Sequence, residues 1–357
     1  MAYTTIDKPT DYFNTKLYTG NGGTLVNTGV GFQPDLVWVK SRTQANSHVW
    51  FDVVRTFAGG KEIQSNNTGA EGASDSAGYG YISAVSSDGF TAQAGTTAGD
   101  YTNVSSQNYV AWNWKAGTSF TNDASSTGIG TIDSTGSVNE TAGFSIVSYT
   151  STGSNGSIKH GLSTAPQWII FKRRSGDTEN WPVYHQALGN THYVMLNATD
   201  AQSDSAARFN DTSPTSSVFT VGTSGDTNGG TSPFIAYCFS ERQGYSKFGS
   251  YTGNNNSNGT FVYLGFKPAF VMFKNTTGNN WGIIDNKRDP YNGALHRLIP
   301  NTSGADNTGA GVVIDFLSNG FKCRNADGLE NGAAEIIYMA FAENPFVTST
   351  GVPATAR

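Results

Sequence analysis

One pattern, written three times, constrains this chain more than anything else in it. PDLVWVK (Pro34 to Lys40), PQWIIFK (Pro166 to Lys172) and PAFVMFK (Pro268 to Lys274) each place a lysine six residues after a proline. The four residues before each lysine are apolar on both faces, as in a strand covered by a layer on either side. The proline opens the strand, where a missing N–H costs least. Four further anchors follow in constant order. Asp52, His185 and Asp285 stand 18, 19 and 17 residues after their prolines. Turns begin at Asn66, Asn197 and Asn301, then come Phe90, Phe219 and Phe321. Each copy closes on an aromatic strand: YVAWNW, FIAYCF and IYMAF. Loop insertions account for the small drifts in spacing, because loop length is cheap to change.

A repeat of about 100 residues, filled with short strand patterns and Gly/Asn/Asp/Ser turns, predicts a β-sandwich. Composition agrees. Charged residues are 14% of the 357, aromatics are 12%, and there are 43 glycines. Long helices need Ala, Leu, Glu and Lys in other proportions, and disorder needs fewer aromatics. The expected fold is all-β, with three tandem β-sandwich domains of jelly-roll or lectin-like type. The expected division is 1–116 for copy 1 with an N-terminal segment, 117–142 for a Gly/Ser/Thr-rich linker, 143–245 for copy 2, 246–347 for copy 3, and 348–357 for a C-terminal tail.

The net charge of −5 argues against nucleic acid, whose phosphates call for clustered Lys and Arg. No apolar run approaches the ~18 residues of a membrane helix, so membrane insertion is not expected. The first residues, MAYTTIDKPTDYF, lack the basic and apolar regions of a secretory signal. Cys238 and Cys323 are too few for a disulfide framework, and no cofactor or metal is expected.

The constellation most suggestive of chemistry is Lys40, Asp52 and Arg55, echoed by Lys274, Asp285 and Arg288. Copy 2 keeps Lys172 but has His185 and Leu188 at the matching places. A site broken in one copy of a structural pattern reads as scaffold, so no catalytic residue is assigned. Asn66, Asn197 and Asn301 head Asn-x-Ser/Thr tripeptides, read here as Asx-turns capping their own backbone. Trp181 beside Asn180, and Trp281 beside Asn280, could stack on a sugar while the amide binds its hydroxyls; His48 holds that register in copy 1.

Several segments together, DYFNTKLYTGNGG, YVAWNWKAG, GYSKFGSYTGN, DFLSNGF, YMAFAENPF and GVPATAR, resemble virion structural proteins of marine bacteriophages, those infecting cyanobacteria and Pelagibacter. The resemblance covers nearly the whole chain. It implies a virion-surface protein, a tail fibre or adhesin or a head fibre or decoration, assembled in the host cytoplasm. The expected partners are other virion proteins, further copies of the chain and host-surface glycan. It carries no established binding residues. The alternatives are a purely architectural capsid or tail cement and an envelope-glycan depolymerase.

Overall fold

The computed structural model describes residues 3–97 and 99–355. It is all-β: antiparallel sheets dominate, and its helices are single turns. Each copy pairs a large inner sheet with a small outer one. In copy 1 the inner sheet runs Phe13–Thr19, Asn108–Trp114, Leu36–Ser41, Val49–Asp52, Ile63–Gln64, and the outer sheet runs Thr24–Thr28, Gly89–Gln93, Tyr81–Ser86. Copy 3 repeats the inner order as Ser246–Thr252, Glu335–Pro345, Phe266–Asn275, Trp281–Asp285. Copy 2 does so with Phe144–Thr150, Pro233–Phe239, Trp168–Arg173, Pro182–His185 and His192–Met195. The register also repeats: Trp38 faces Trp112, Ile170 faces Tyr237 and Met272 faces Met339. Lys40, Lys172 and Lys274 therefore lie on equivalent strands, opposite Val110, Ile235 and Ile337.

Strand alternation explains why the repeated run is apolar throughout. Val37, Val39 and Phe51 point outward into a core shared with the outer sheet of their own copy. Leu36, Trp38 and Trp50 point the other way, into a cluster that also holds Trp168, Ile170 and Tyr237 from copy 2 and Phe270, Met272 and Met339 from copy 3. All seven tryptophans lie in this common core. Aromatic contacts cross each junction: Trp50–Trp181 at 5.5 Å, Trp168–Trp281 at 5.9 Å and Trp112–Phe270 at 5.9 Å. The three sandwiches thus form one body, with inner sheets around a common centre and outer sheets at the periphery.

This corrects one expectation. Residues 117–142 are not a linker. Thr118–Asn122 and Ser134–Asn139 are strands that extend the inner sheet of copy 2 beyond Phe144–Thr150, with a helical turn at Ala124–Thr127 between them. The expected tail, over its described part, is anchored to the rest of the chain. Val347 bridges to Pro353, and Ser349 donates from its backbone N–H to Asp7 at 2.6 Å. The N-terminal segment straps copy 3, with Tyr3 Oη donating to Gly265 O at 2.6 Å and Thr4 Oγ1 to Gln243 O at 2.8 Å.

Candidate functional site

Sequence pattern groups Lys40, Asp52 and Arg55, but the sheet separates Lys40 from the other two. Lys40 sits near one end of its strand, whereas Asp52 pairs with Leu36 at the other. Each lysine is wholly buried and donates to backbone carbonyls, and two of the three reach across a junction. Lys172 Nζ reaches Glu179 O at 2.7 Å and, across the copy boundary, Thr68 O at 2.9 Å. Lys274 does the same with Asn279 O and with Thr199 O at 3.0 Å. Lys40 bonds Ser41 O and Gln44 O within its own copy. Burial disfavours the charged form of all three, bringing Lys40 and Lys172 down to about 7 and Lys274 to about 8.

The aspartates build something else. Asp52 Oδ1 caps the backbone N–H of Val54 and Arg55, and Oδ2 accepts from Arg55 Nε at 2.6 Å. It also accepts from Tyr237 Oη of copy 2 at 2.7 Å. Arg55 lies 3.6 Å from Glu71, which in turn binds Arg174 of copy 2 at 2.6 Å. The junction of copies 3 and 1 repeats the set. Asp285 accepts from Arg288 Nε at 2.6 Å and from Trp112 Nε1 at 3.0 Å, and Asp306 bridges Arg288 at 2.8 Å and Arg42 at 2.7 Å. Burial acts to discharge Arg55 and Arg288, but the neighbouring aspartates more than reverse it, and both are held above the usual arginine range. Glu71 and Asp306 lie below the carboxylate range, because their arginine partners outweigh desolvation.

The third junction, between copies 2 and 3, carries none of these charges. His185, Leu188, Gln202, Thr276 and Met339 occupy the five equivalent places. The backbone geometry is kept: Gln202 N donates to Thr276 O at 2.8 Å, as Glu71 N does to Arg174 O and Asp306 N to Arg42 O, both at 2.9 Å. His185 Nδ1 accepts from Ala187 N at 3.0 Å, the bond that Asp52 makes to Val54. Burial lowers His185 to about 3, so the ring is neutral at pH 7. A buried charge without its partner costs several kcal/mol, so the network is present or absent as a set. His185 is legible on these grounds as the neutral form of a joint, and the Lys/Asp/Arg pattern as the joint itself.

The other assigned residues are structural too. Asn66, Asn197 and Asn301 do not cap their own backbone, which corrects the Asx-turn reading. Their Oδ1 atoms accept from the N–H of His48, Trp181 and Trp281 at 3.0, 2.9 and 3.0 Å. Their Nδ2 groups donate to Ser47, Asn180 and Asn280. Each asparagine thus pins a turn to the strand preceding it in the sheet. The sugar-stacking assignment of Trp181 and Trp281 is also corrected. Both indoles are 0% exposed and donate across copy boundaries, to Asn67 O at 3.0 Å and Met195 O at 2.8 Å. Asn180 and Asn280 are committed to the turn asparagines. Sequence reasoning missed Asn103, Asn228 and Asn331, which clamp the turn after the first strand of each copy.

Cys238 and Cys323 are free, buried thiols, and burial raises both, Cys323 to about 12. Among the described residues no group of three His, Cys, Asp or Glu side chains could hold a metal ion, and no helix is long and apolar enough to cross a membrane. The surface carries shallow clefts. One of about 400 Å³ lies beside the strap, lined by Tyr3, Glu241, Gln243, Lys247 and Tyr263. No protein of curated function matches the sequence. The family described as "Domain of unknown function (DUF7483)" matches residues 8–345, a span that takes in all three copies and the strands between the first two, so the chain belongs to that family.

Proposed function

We propose that this chain is a non-catalytic structural protein of a virus-particle surface, a tail-fibre or head-decoration component that meets the host envelope. The observation that supports this reading is the use made of the buried ionic groups. At two of the three junctions Arg174 binds Glu71 and Arg42 binds Asp306 across the copy boundary, backed by Arg55 and Arg288 within their own copies, and Lys172 and Lys274 reach carbonyls of the neighbouring copy. The outcome is a stiff body with polar Gly/Asn/Ser/Thr loops outside, suited to multiple display, where weak contacts gain from avidity. Antibody raised to the folded protein is expected to decorate intact particles, and particles lacking the protein are expected to adsorb to host cells more slowly. Labelling without an adsorption defect would leave an architectural cement. Absence of labelling would remove the surface assignment altogether.

A further inference from the structure

Of the 21 phenylalanines, 16 tyrosines and 7 tryptophans, only Phe261, Tyr263 and Tyr291 are exposed among the described residues. Two of the three are neighbours. Phe261 and Tyr263, 46% and 50% exposed, flank buried Val262 on the strand Phe261–Tyr263, so both rings leave the same face. The strand rise sets them about 6.6–6.8 Å apart. The strand forms the edge of the outer sheet of copy 3. The corresponding strands of copies 1 and 2 carry Val26 and Thr28, and Ser157 and Lys159. The fold therefore does not call for aromatics there.

The rest of that face is built around them. Register puts Lys322 next to Phe261 with Asp315 beyond, and Gly320 next to Tyr263 with Leu317 beyond. Gly320 cannot carry a side chain: a Cβ there would stand 2.0 Å from Val262 O. The sheet is consequently bare between Tyr263 and Leu317. From the inner sheet, Lys247 Nζ lies 5.4 Å from the Tyr263 centroid and donates to its carbonyl at 2.9 Å, marking the start of the cleft that holds Glu241 and Gln243.

We propose that this face and the adjoining cleft bind a neutral, extended oligosaccharide. Two rings spaced along a strand match the C–H faces of successive sugar residues, and the surrounding amide, ammonium and carboxylate groups match a hydroxyl rim. Charges of both signs, Lys247 and Lys322 with Glu241 and Asp315, favour neither a polyanion nor a polycation. Two rings flanked by a Lys–Asp row are far too little apolar surface for a stable protein interface, which takes roughly 800 Å² per partner.

The inference names a ligand class for the host contact proposed above but rests on this face alone. Fluorescently labelled full-length protein is applied to a printed array of neutral hexose and N-acetylhexosamine oligosaccharides, with sialylated and sulfated ones alongside. The strongest neutral hit is then titrated. Wild type is expected to bind at least one neutral oligosaccharide. Phe261→Ala with Tyr263→Ala is expected to weaken that hit about tenfold or more, and Tyr291→Ala to leave it unchanged. Binding confined to charged glycans, no binding, or a hit indifferent to the double variant would each overturn the proposal. None of these outcomes touches the particle-labelling result, and failed labelling would leave a positive array intact.

Discussion

Arg55→Leu introduces at the junction of copies 1 and 2 the residue that copy 2 carries at Leu188. It leaves Asp52 and Glu71 without a shared cation, although Asp52 is wholly buried and its remaining partners are Tyr237 and two backbone amides. Breaking a buried pair by removing one partner costs about 3–5 kcal/mol. With an unfolding entropy of about 2.1 cal/mol/K per residue, a chain of this length loses roughly 1.3 °C for each kcal/mol, so Tm is expected to fall by about 4–7 °C. The decisive comparison is the complete exchange. Asp52→His, Arg55→Leu, Glu71→Gln, Arg174→Thr and Tyr237→Met together convert this junction to the composition found between copies 2 and 3. Removing a buried charge set as a whole is often near neutral, and contacting residues are strongly non-additive. The fivefold variant is expected to recover most of what the single one loses, by urea unfolding followed through tryptophan fluorescence and by calorimetry. The reasoning fails if Arg55→Leu stays within about 1 kcal/mol of wild type, or if the fivefold variant is no more stable than it.

Three further outcomes follow from the same geometry. Lys40, Lys172 and Lys274 bind protons up to about pH 10.5 when unfolded but only up to about 7 or 8 when folded. The urea midpoint should therefore rise between roughly pH 7.5 and 9, by up to about 1 kcal/mol per lysine per pH unit, before the buried cysteines and tyrosines reverse the trend; a flat or falling midpoint would contradict their burial. Asn197→Ala removes the acceptor for Trp181 N–H and should cost about 1–3 kcal/mol, with Asn66→Ala and Asn301→Ala costing similar amounts by the same unfolding assay; three neutral variants would dismiss the turn-pinning role. Limited subtilisin digestion should spare residues 117–142 until the whole chain opens, whereas early cleavage into one-copy and two-copy fragments would restore a linker there.

What the sequence revealed and what it hid divide along physical lines. The repeat, the buried strand and the equivalence of the lysines were legible, because period-2 alternation and turn chemistry are local. The common centre was not. Trp38 and Val39 are both apolar, and alternation does not say whether a buried face meets its own outer sheet or another copy. Thr118–Asn122 reads as linker because an edge strand with four of its five residues exposed or half-exposed has the composition of a loop. Trp181 was read as a sugar platform from its polar neighbour Asn180, yet that amide belongs to the turn at Asn197. Gln202, Thr276 and Met339 become meaningful only when three-dimensional neighbours are compared, since no sequence spacing joins them. Phe261 and Tyr263 were passed over because F-V-Y reads equally well as a core strand.

The joining of three sandwiches within one polypeptide also bears on valency. Three separate but identical subunits would repeat every junction and every outer face threefold. Here one junction lacks the ionic set and, among the described residues, one outer sheet alone carries an exposed aromatic pair, which a fused chain permits because each sector has its own sequence. Each body consequently carries one aromatic face instead of three, and that face points in a single direction away from the centre. On any larger assembly, the rotational setting of each body about its own centre would then decide whether this face turns outward or lies against a neighbour. The number of outward faces would be fixed by the number of chains, not by the number of sandwiches.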